Sequence, residues 1–408
     1  MIVIDIDDFG KLNALFGEWA GDQVLHVLTD RLSNGLEDAT QIGRLGGDEF
    51  AVSTPAGDLS EAARLAEQIH GLAKMPVRVA DQVIELSVSI GVALAKGVTP
   101  DLVIGDAMIA VRHAKRSGGD KTVLFDEDFE AYMANWRRVE SDLVQAIEDD
   151  ALELYFQPII EMANGTVVGA EALLRWPRED GSLMPPNDFI PLAEASTLII
   201  DLDRWVIDSG CRALSEWADP AVCELHLAVN VSGRHLSEGD LVTAVRESCS
   251  RWNVDPSRLG IEVTESVLLE DRHTSLEVLK ALSELGVTLL IDDFGTGYSN
   301  LSYLQDFPFD VLKIDRSFVS RSDTDGRTES LVGALVGLGR AMGLEIHAEG
   351  VETEGQRALL RDLGCDFEQG YLFSKPLPIA EFVLLCGQHT TTHSSATSSG
   401  VEEIPLAS

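Results

Sequence analysis

Between residues 151 and 378 the chain is a succession of short apolar runs, most of which end on a carboxylate, a carboxamide or a lysine. Leu152 to Ile160 and Thr166 to Trp176 flank Asn164-Gly165, a pair that predicts a type I′ hairpin. Six further runs lie around 225 to 232, 259 to 264, 287 to 292, 311 to 315, 345 to 350 and 367 to 373, mostly separated by helix-length amphipathic segments. Strands alternating with helices predict a (β/α)8 barrel. The hairpin makes the first two strands antiparallel, since parallel neighbours need a long crossover. The expected fold is therefore α/β, a modified TIM barrel with an antiparallel first strand.

Residues 1 to 125 alternate strand and helix patterns and predict a separate α/β domain. Strand signals are Ile2 to Ile6, Ile42 to Leu45, Phe50 to Ser53, Val83 to Leu94 and Thr122 to Phe125; helical periodicity covers Leu12 to Phe16, Val24 to Leu32, Glu61 to Leu72 and Leu102 to Arg116. Residues 126 to 149 carry Met133, Trp136, Val139, Leu143 and Ile147 at helical spacing and read as a connecting helix. The barrel then occupies 150 to 388. Residues 389 to 408, rich in Ser and Thr, have no periodicity and read as a disordered tail, in which His389 and His393 are solvated.

A formal charge of −37 argues against bulk nucleic-acid or anionic-membrane binding, both of which rely on Lys and Arg to neutralise phosphate. A phosphate substrate stays open if cations supply local positive charge. Cys211, Cys223, Cys249, Cys365 and Cys386 show no CxxC spacing and an odd count, as expected of reduced thiols in a cytoplasmic protein. No apolar run approaches a membrane span, and the acidic start, Met1 to Asp8, is unlike a signal peptide.

The polar strand ends carry the chemistry. Residues scattered in sequence converge at the carboxyl-terminal mouth of such a barrel, here Glu171, Asn230, Glu262, Glu265, Asp292, Asp293, Lys313, Glu349 and Gln369. So many carboxylates with two carboxamides and one lysine imply bound cations and a hydrolytic, metal-dependent site. Paired carboxylates such as Asp292-Asp293 suit two cations, Asn230 adds a neutral oxygen, and Arg175 can grip a phosphate bidentately. Lys313 can hold a phosphate oxygen or the attacking group. His347 shares the strand face of Glu349 but reads as a packing residue, and Trp205, Trp217 and Trp252 follow helical core spacing.

The segments Glu171-Ala172-Leu173-Leu174-Arg175-Trp176, Asn230-Val231-Ser232, Glu262-Val263-Thr264-Glu265, Asp292-Asp293-Phe294-Gly295-Thr296-Gly297-Tyr298-Ser299, Lys313-Ile314-Asp315, Ala348-Glu349-Gly350-Val351-Glu352 and Gln369-Gly370-Tyr371-Leu372-Phe373-Ser374-Lys375-Pro376 together resemble the EAL-domain cyclic di-GMP phosphodiesterases. The resemblance runs from about 135 to 385 in the family's order. It implies that Glu171, Asn230, Glu262, Asp292, Asp293 and Glu349 hold two Mg2+ or Mn2+ ions. Lys313 would position the nucleophile, Gln369 would support the site and Arg175 would bind substrate phosphate. Glu265 would anchor the loop from Phe294 to Leu304, which in this family bears on catalysis and on a homodimer through the EAL domain. The implied reaction is hydrolysis of cyclic di-GMP to linear pGpG.

Ahead of it, Gly46-Gly47-Asp48-Glu49-Phe50 reads as a tight turn between two strands, with Asp5 ending a buried one. Residues 1 to 125 resemble the GGDEF domain of diguanylate cyclases. That implies metal contacts from Asp5 and Asp48, guanine contacts from Asn13 and Asp22, a catalytic acid in Glu49 and phosphate contacts from Arg44 and Lys115, with GTP and Mg2+ as ligands. Gly10, Ala14 and Gly119 depart from the family, at positions that usually hold a lysine, an acid and an arginine. Glu37 to Thr40 takes the place of the inhibitory RxxD site, and the domain starts at its first strand, so it reads as incomplete. A phosphodiesterase with a regulatory, GTP-binding first half is the leading reading. The alternatives are a bifunctional cyclase and phosphodiesterase, or a non-catalytic cyclic di-GMP receptor.

Overall fold

A computed structural model describes residues 1–36, 40–79, 82–95, 99–178, 180–217, 222–265, 267–295, 305–322 and 326–397, with backbone alone at 269–270 and 389–397. The chain divides into two units, Met1–Arg138 and Val139–Ser408.

The first unit is built on a five-stranded sheet, in the order β2 (Gln41–Gly46), β3 (Glu49–Ser53), β1 (Ile2–Ile6), β6 (Val88–Ala93), β7 (Thr122–Phe125). A short hairpin, β4 (Val77–Val79) with β5 (Gln82–Ile84), stands apart from that sheet. β1 and β6 are buried along their whole length, as near-continuous apolar strands in the middle of a sheet must be. Gly91 on β6 is needed for packing: a Cβ there would lie 2.0 Å from the carbonyl of Ala107, so the helix Pro100–Arg116 rests directly on the strand. The single strand expected from Val83 to Leu94 is two. The backbone breaks between β5 and β6, where Asp7 N–H donates to Ser87 O and the Asp7 carboxylate accepts from the hydroxyls of Ser87 and Ser89. The helix Glu127–Glu148 runs close to its expected range.

The second unit is an eight-stranded closed barrel. Its strands are β8 (Glu153–Glu161), β9 (Val167–Pro177), β11 (His226–Asn230), β12 (Leu259–Thr264), β13 (Thr288–Phe294), β14 (Val311–Ile314), β15 (Glu345–Ala348) and β16 (Phe367–Glu368), with a short β10 (Leu183–Met184) added to the outer edge of β9. β9 and β11 to β16 pair in parallel, while β8 is antiparallel to both β9 and β16 and closes the ring. Phe156 on β8, Trp217 and Phe382 pack with ring centroids 5.4 to 5.8 Å apart.

Several expectations change in detail. The β8–β9 connection is not a type I′ turn, which requires positive φ at both central residues. Only Gly165 has one (φ 74°), while the Asn164 side chain accepts from the backbone N–H of Thr166, giving a longer Asx-type loop. β16 is far shorter than the apolar run at 367 to 373, so Gln369 lies just past its end. Of the tryptophans, Trp217 is core, but Trp205 is half-buried and its indole N–H donates to Asp150 at 2.8 Å. The helix Ile379–Thr397 continues through residues without apolar periodicity, and residues 398–408 lie outside the described ones. The cysteines are thiols, those of Cys211 and Cys249 lying 3.9 Å apart. Among the described residues no helix is long and apolar enough to cross a membrane.

Candidate active site

Lys313, in the middle of β14, is fully buried. Its ammonium is ringed by carboxylates from four other strand ends: Glu262 at 2.6 Å, Glu349 at 2.5 Å, Asp292 at 3.5 Å and Glu171 at 3.7 Å. Burial alone would lower its pKa, but the four carboxylates outweigh burial and hold it well above the usual lysine value. Glu262 is also fully buried, and desolvation drives its carboxyl well above the ordinary range even though Lys313 opposes the shift.

The carboxamides hold Glu171. Asn230 Nδ2 donates to Glu171 Oε1 at 2.7 Å, and Gln369 Nε2 donates to Glu171 Oε2 at 2.7 Å and to Gln157 Oε1 at 3.0 Å. Both oxygens of one carboxylate are thus fixed by neutral donors, which leaves Asn230 Oδ1 as a neutral acceptor.

Asp292 and Asp293 are adjacent in sequence, and ordinary pleating would send them to opposite faces. An irregularity in the β13–β14 register between Ile291 and Phe294, with Asp293 at φ 54°, breaks the alternation, and both aspartates line one 450 Å³ cleft at the mouth together with Asn230. The Asp293 carboxyl is raised by burial and then by Asp292 and Asp315. Glu265 follows β12, is 2% exposed and accepts from Gly295 N–H at 3.0 Å. Residues 296–304 of the loop it was expected to anchor lie outside the described ones. Arg175 stacks over Tyr155 at 5.5 Å and donates to Leu174 O, with burial lowering its pKa.

The donor set suits divalent cations. Four carboxylates surround the Lys313 ammonium, and Glu262 Oε1 is buried with no hydrogen-bond partner. Among the described residues no three His, Cys, Asp or Glu side chains form a ready-made cation cage, because the carboxylates turn onto Lys313. Glu349 records the resulting excess of negative charge: burial pushes its carboxyl up to about 8, with Lys313 opposing. The folded protein then keeps a proton that the unfolded chain, titrating near 4.5, has already lost. Stability therefore falls as pH rises from about 4.5 to about 8. In a chelating buffer the thermal midpoint should drop across this interval and Glu349→Gln should flatten the slope; an equally steep slope in the variant would show that another group titrates.

Two supports escaped the sequence reading. Gln157 lies opposite Glu171 in the β8–β9 ladder and joins the carboxamide pair. Asp203, 5% exposed on the helix Leu198–Glu216, accepts from the backbone N–H and hydroxyl of Ser232 at 3.0 and 2.6 Å and so fixes the chain just after Asn230. Neither sits at a strand's carboxyl end, where the sequence pattern gathers the polar residues. His347 is buried, as expected of a packing residue, and burial holds its imidazole well below the usual pKa.

In the first unit, Asp5 lies opposite Glu49 across the β1–β3 pair, and its carboxylate meets the Lys115 ammonium. Burial raises the Asp5 carboxyl to about 6; Lys115 opposes this, while Asp48 and Glu49 add to it. Asp5, Asp48, Glu49 and Lys115 thus act on one another. Lys115, expected on phosphate, is engaged by Asp5. Arg44 Nε donates to Gly47 O at 2.7 Å within the β2–β3 turn. Asn13 and Asp22 stand on the helices Phe9–Phe16 and Glu18–Gly35; Asn13 Oδ1 is buried without a partner and Asp22 is exposed. A side chain at Gly10 would meet open space, so no steric conflict accounts for the missing lysine. Residues 37–39 of the inhibitory-site position lie outside the described ones.

Comparison with known proteins matches residues 140–376 to the EAL domain and residues 1–121 to the diguanylate cyclase GGDEF domain. The bifunctional diguanylate cyclase/cyclic di-GMP phosphodiesterase MucR of Pseudomonas aeruginosa is 37% identical over 385 residues, covering 94% of this chain and 56% of that protein. The cyclic di-GMP phosphodiesterase NbdA of the same organism is 35% identical over 382 residues, 93% of this chain and 49% of that protein. The chain therefore spans about half the length of these relatives. Among solved structures, the MucR phosphodiesterase in complex with c-di-GMP superposes with a TM-score of 0.57 at 42% identity, covering 60% of this chain and 99% of that one. The cAMP-bound EAL enzyme Bd1971 gives 0.59 at 28% identity, with coverage of 76% and 84%.

Proposed function

The chain belongs to the EAL-domain family, with a GGDEF domain preceding the EAL domain, and on that premise we propose that the barrel hydrolyses cyclic di-GMP to linear pGpG. The observation that carries this reading is the buried Lys313 ringed by Glu171, Glu262, Asp292 and Glu349, in a barrel similar to a phosphodiesterase solved with c-di-GMP. Glu171, Asn230, Glu262, Asp292, Asp293 and Glu349 would hold two Mg2+ or Mn2+ ions. Such ions, when bound, would activate the hydrolytic water and polarise the phosphoryl group. The chain's own part is orientation and charge. Gln369 and Asn230 keep Glu171 in place. Lys313 supplies fixed positive charge where negative charge grows in the transition state. Arg175 offers its guanidinium to a substrate phosphate beside Tyr155.

The test is to incubate the purified chain with cyclic di-GMP and Mg2+ or Mn2+ and to chromatograph the products. Linear pGpG is expected; intact substrate with both metals would leave a receptor as the better reading.

Glu265 positions rather than binds. Glu265→Ala leaves Gly295 N–H without this acceptor, a loss of about 1–3 kcal/mol, and should reduce turnover about tenfold or more and loosen a homodimer formed through this domain, without lowering metal occupancy. Unchanged activity with an unchanged mass by light scattering would remove the residue from this role.

For the first unit we propose GTP binding with little or no synthesis of cyclic di-GMP. Asp5, Asp48 and Glu49 form an acidic group able to hold a cation against a triphosphate. Gly10 and Gly119 lack the positive side chains that would stabilise transferring phosphoryl charge. GTP should bind and change the phosphodiesterase rate, and Asp48→Ala should abolish both effects. Robust cyclic di-GMP synthesis by the wild type would favour the bifunctional reading.

A further inference from the structure

The barrel is open at the end opposite the carboxylate site. There a cavity of about 460 Å³ enters between the amino-terminal ends of the strands, with apolar walls from Leu227, Leu290, Val311 and Phe367. Two features set it apart from a packing void. Inside, His347 lines the cavity, is 1% exposed, faces Phe367 edge-on at 6.5 Å and has a buried Nε2 without a hydrogen-bond partner. An unsatisfied buried polar atom costs about 1–3 kcal/mol, and a ligand's polar group would relieve that. At the opening stand Glu161 and Glu345. The Glu345 carboxyl is raised by burial and then by Asp366 and Asp310, with His226 opposing the shift and Glu161 adding to it. Even with His226 at the opening, these carboxylates leave the rim acidic, which disfavours anions and favours a cation.

We propose that this cavity is a second ligand site, which takes a small arylalkyl ammonium ion with a hydroxyl at its far end. The ammonium sits at Glu161 and Glu345, the ring lies against the apolar wall, and the hydroxyl meets His347 Nε2. Glu345 and His347 lie two residues apart on β15, about 7 Å along the strand, which is the scale of a substituted phenyl ring. The carboxylates around Lys313 take no part in this binding.

The experiment is isothermal titration calorimetry of the whole chain with tyramine, with 2-phenylethylamine and 4-ethylphenol as probes lacking the hydroxyl or the amine. Tyramine should bind at one saturable site, and each truncated probe about tenfold more weakly, as expected for the loss of one hydrogen bond to a buried or charged group. Glu345→Gln and Glu161→Gln should each weaken tyramine about tenfold, and their thermal midpoints report that the fold is kept. No saturable binding, or tyramine affinity unchanged in both variants, overturns the proposal. Equal binding of 2-phenylethylamine removes His347 from the site and overturns it as well. The readout is binding alone, so failure here leaves the hydrolytic reading of the opposite mouth intact.

Discussion

Asp292→Ala should lower cyclic di-GMP hydrolysis by about a thousandfold or more, and Glu171→Ala by a similar factor, with the barrel still folded. Each is one of a few oxygen donors expected to share the same two cations, and a metal-dependent transition state loses several kcal/mol with one of them. The two fail for different local reasons. Asp292 stands 3.5 Å from the Lys313 ammonium beside the β13 irregularity, whereas Glu171 is clamped by Asn230 and Gln369. The check is turnover at saturating substrate together with the rise in thermal midpoint that Mg2+ or Mn2+ produces. Both should disappear in the variants, while the metal-free midpoint stays near that of the wild type. Near-wild-type turnover in either variant would sink the two-cation reading.

Lys313→Ala is expected to be damaging twice over. It removes the positive charge at the centre of four carboxylates, so kcat should fall far more than KM rises, because the lost charge acts on the reacting group rather than on the ground state. It also leaves Glu262 and Glu349 without the partner that holds them at 2.6 and 2.5 Å. Removing one partner of a buried ion pair costs about 3–5 kcal/mol. That cost should be greatest at about pH 9, above the Glu349 pKa of about 8, and smallest at about pH 5, where that carboxyl keeps its proton with or without the lysine. Urea unfolding of wild type and variant at both pH values measures the difference. A destabilisation independent of pH would mean that packing of the lysine stem, and not its charge, holds the site together.

The alternation of apolar runs with amphipathic segments was enough to identify an eight-stranded barrel with an antiparallel entry. The polar strand ends were enough to name its carboxylates, because side-chain period and strand polarity are local properties of the chain. Register was not legible. A two-residue turn at Asn164-Gly165 would set Gln157 opposite Ala172; the longer loop, together with the irregularity between Ile159 and Ile160, sets it opposite Glu171, within reach of the carboxamide pair. A slip of one residue sends every side chain to the other face, and here the loop and the bulge beside it decide the register. The side-by-side placement of Asp292 and Asp293 likewise depends on an irregularity against β14, a partner about twenty residues away in sequence. Nor could sequence show that Lys313 is the buried centre of the carboxylate ring rather than a mobile cation at its edge. Its burial, the raised pKa values around it and the support of Ser232 by Asp203 exist only once distant strands and helices have closed on one another, since desolvation and charge proximity belong to the assembled barrel and to no segment of it.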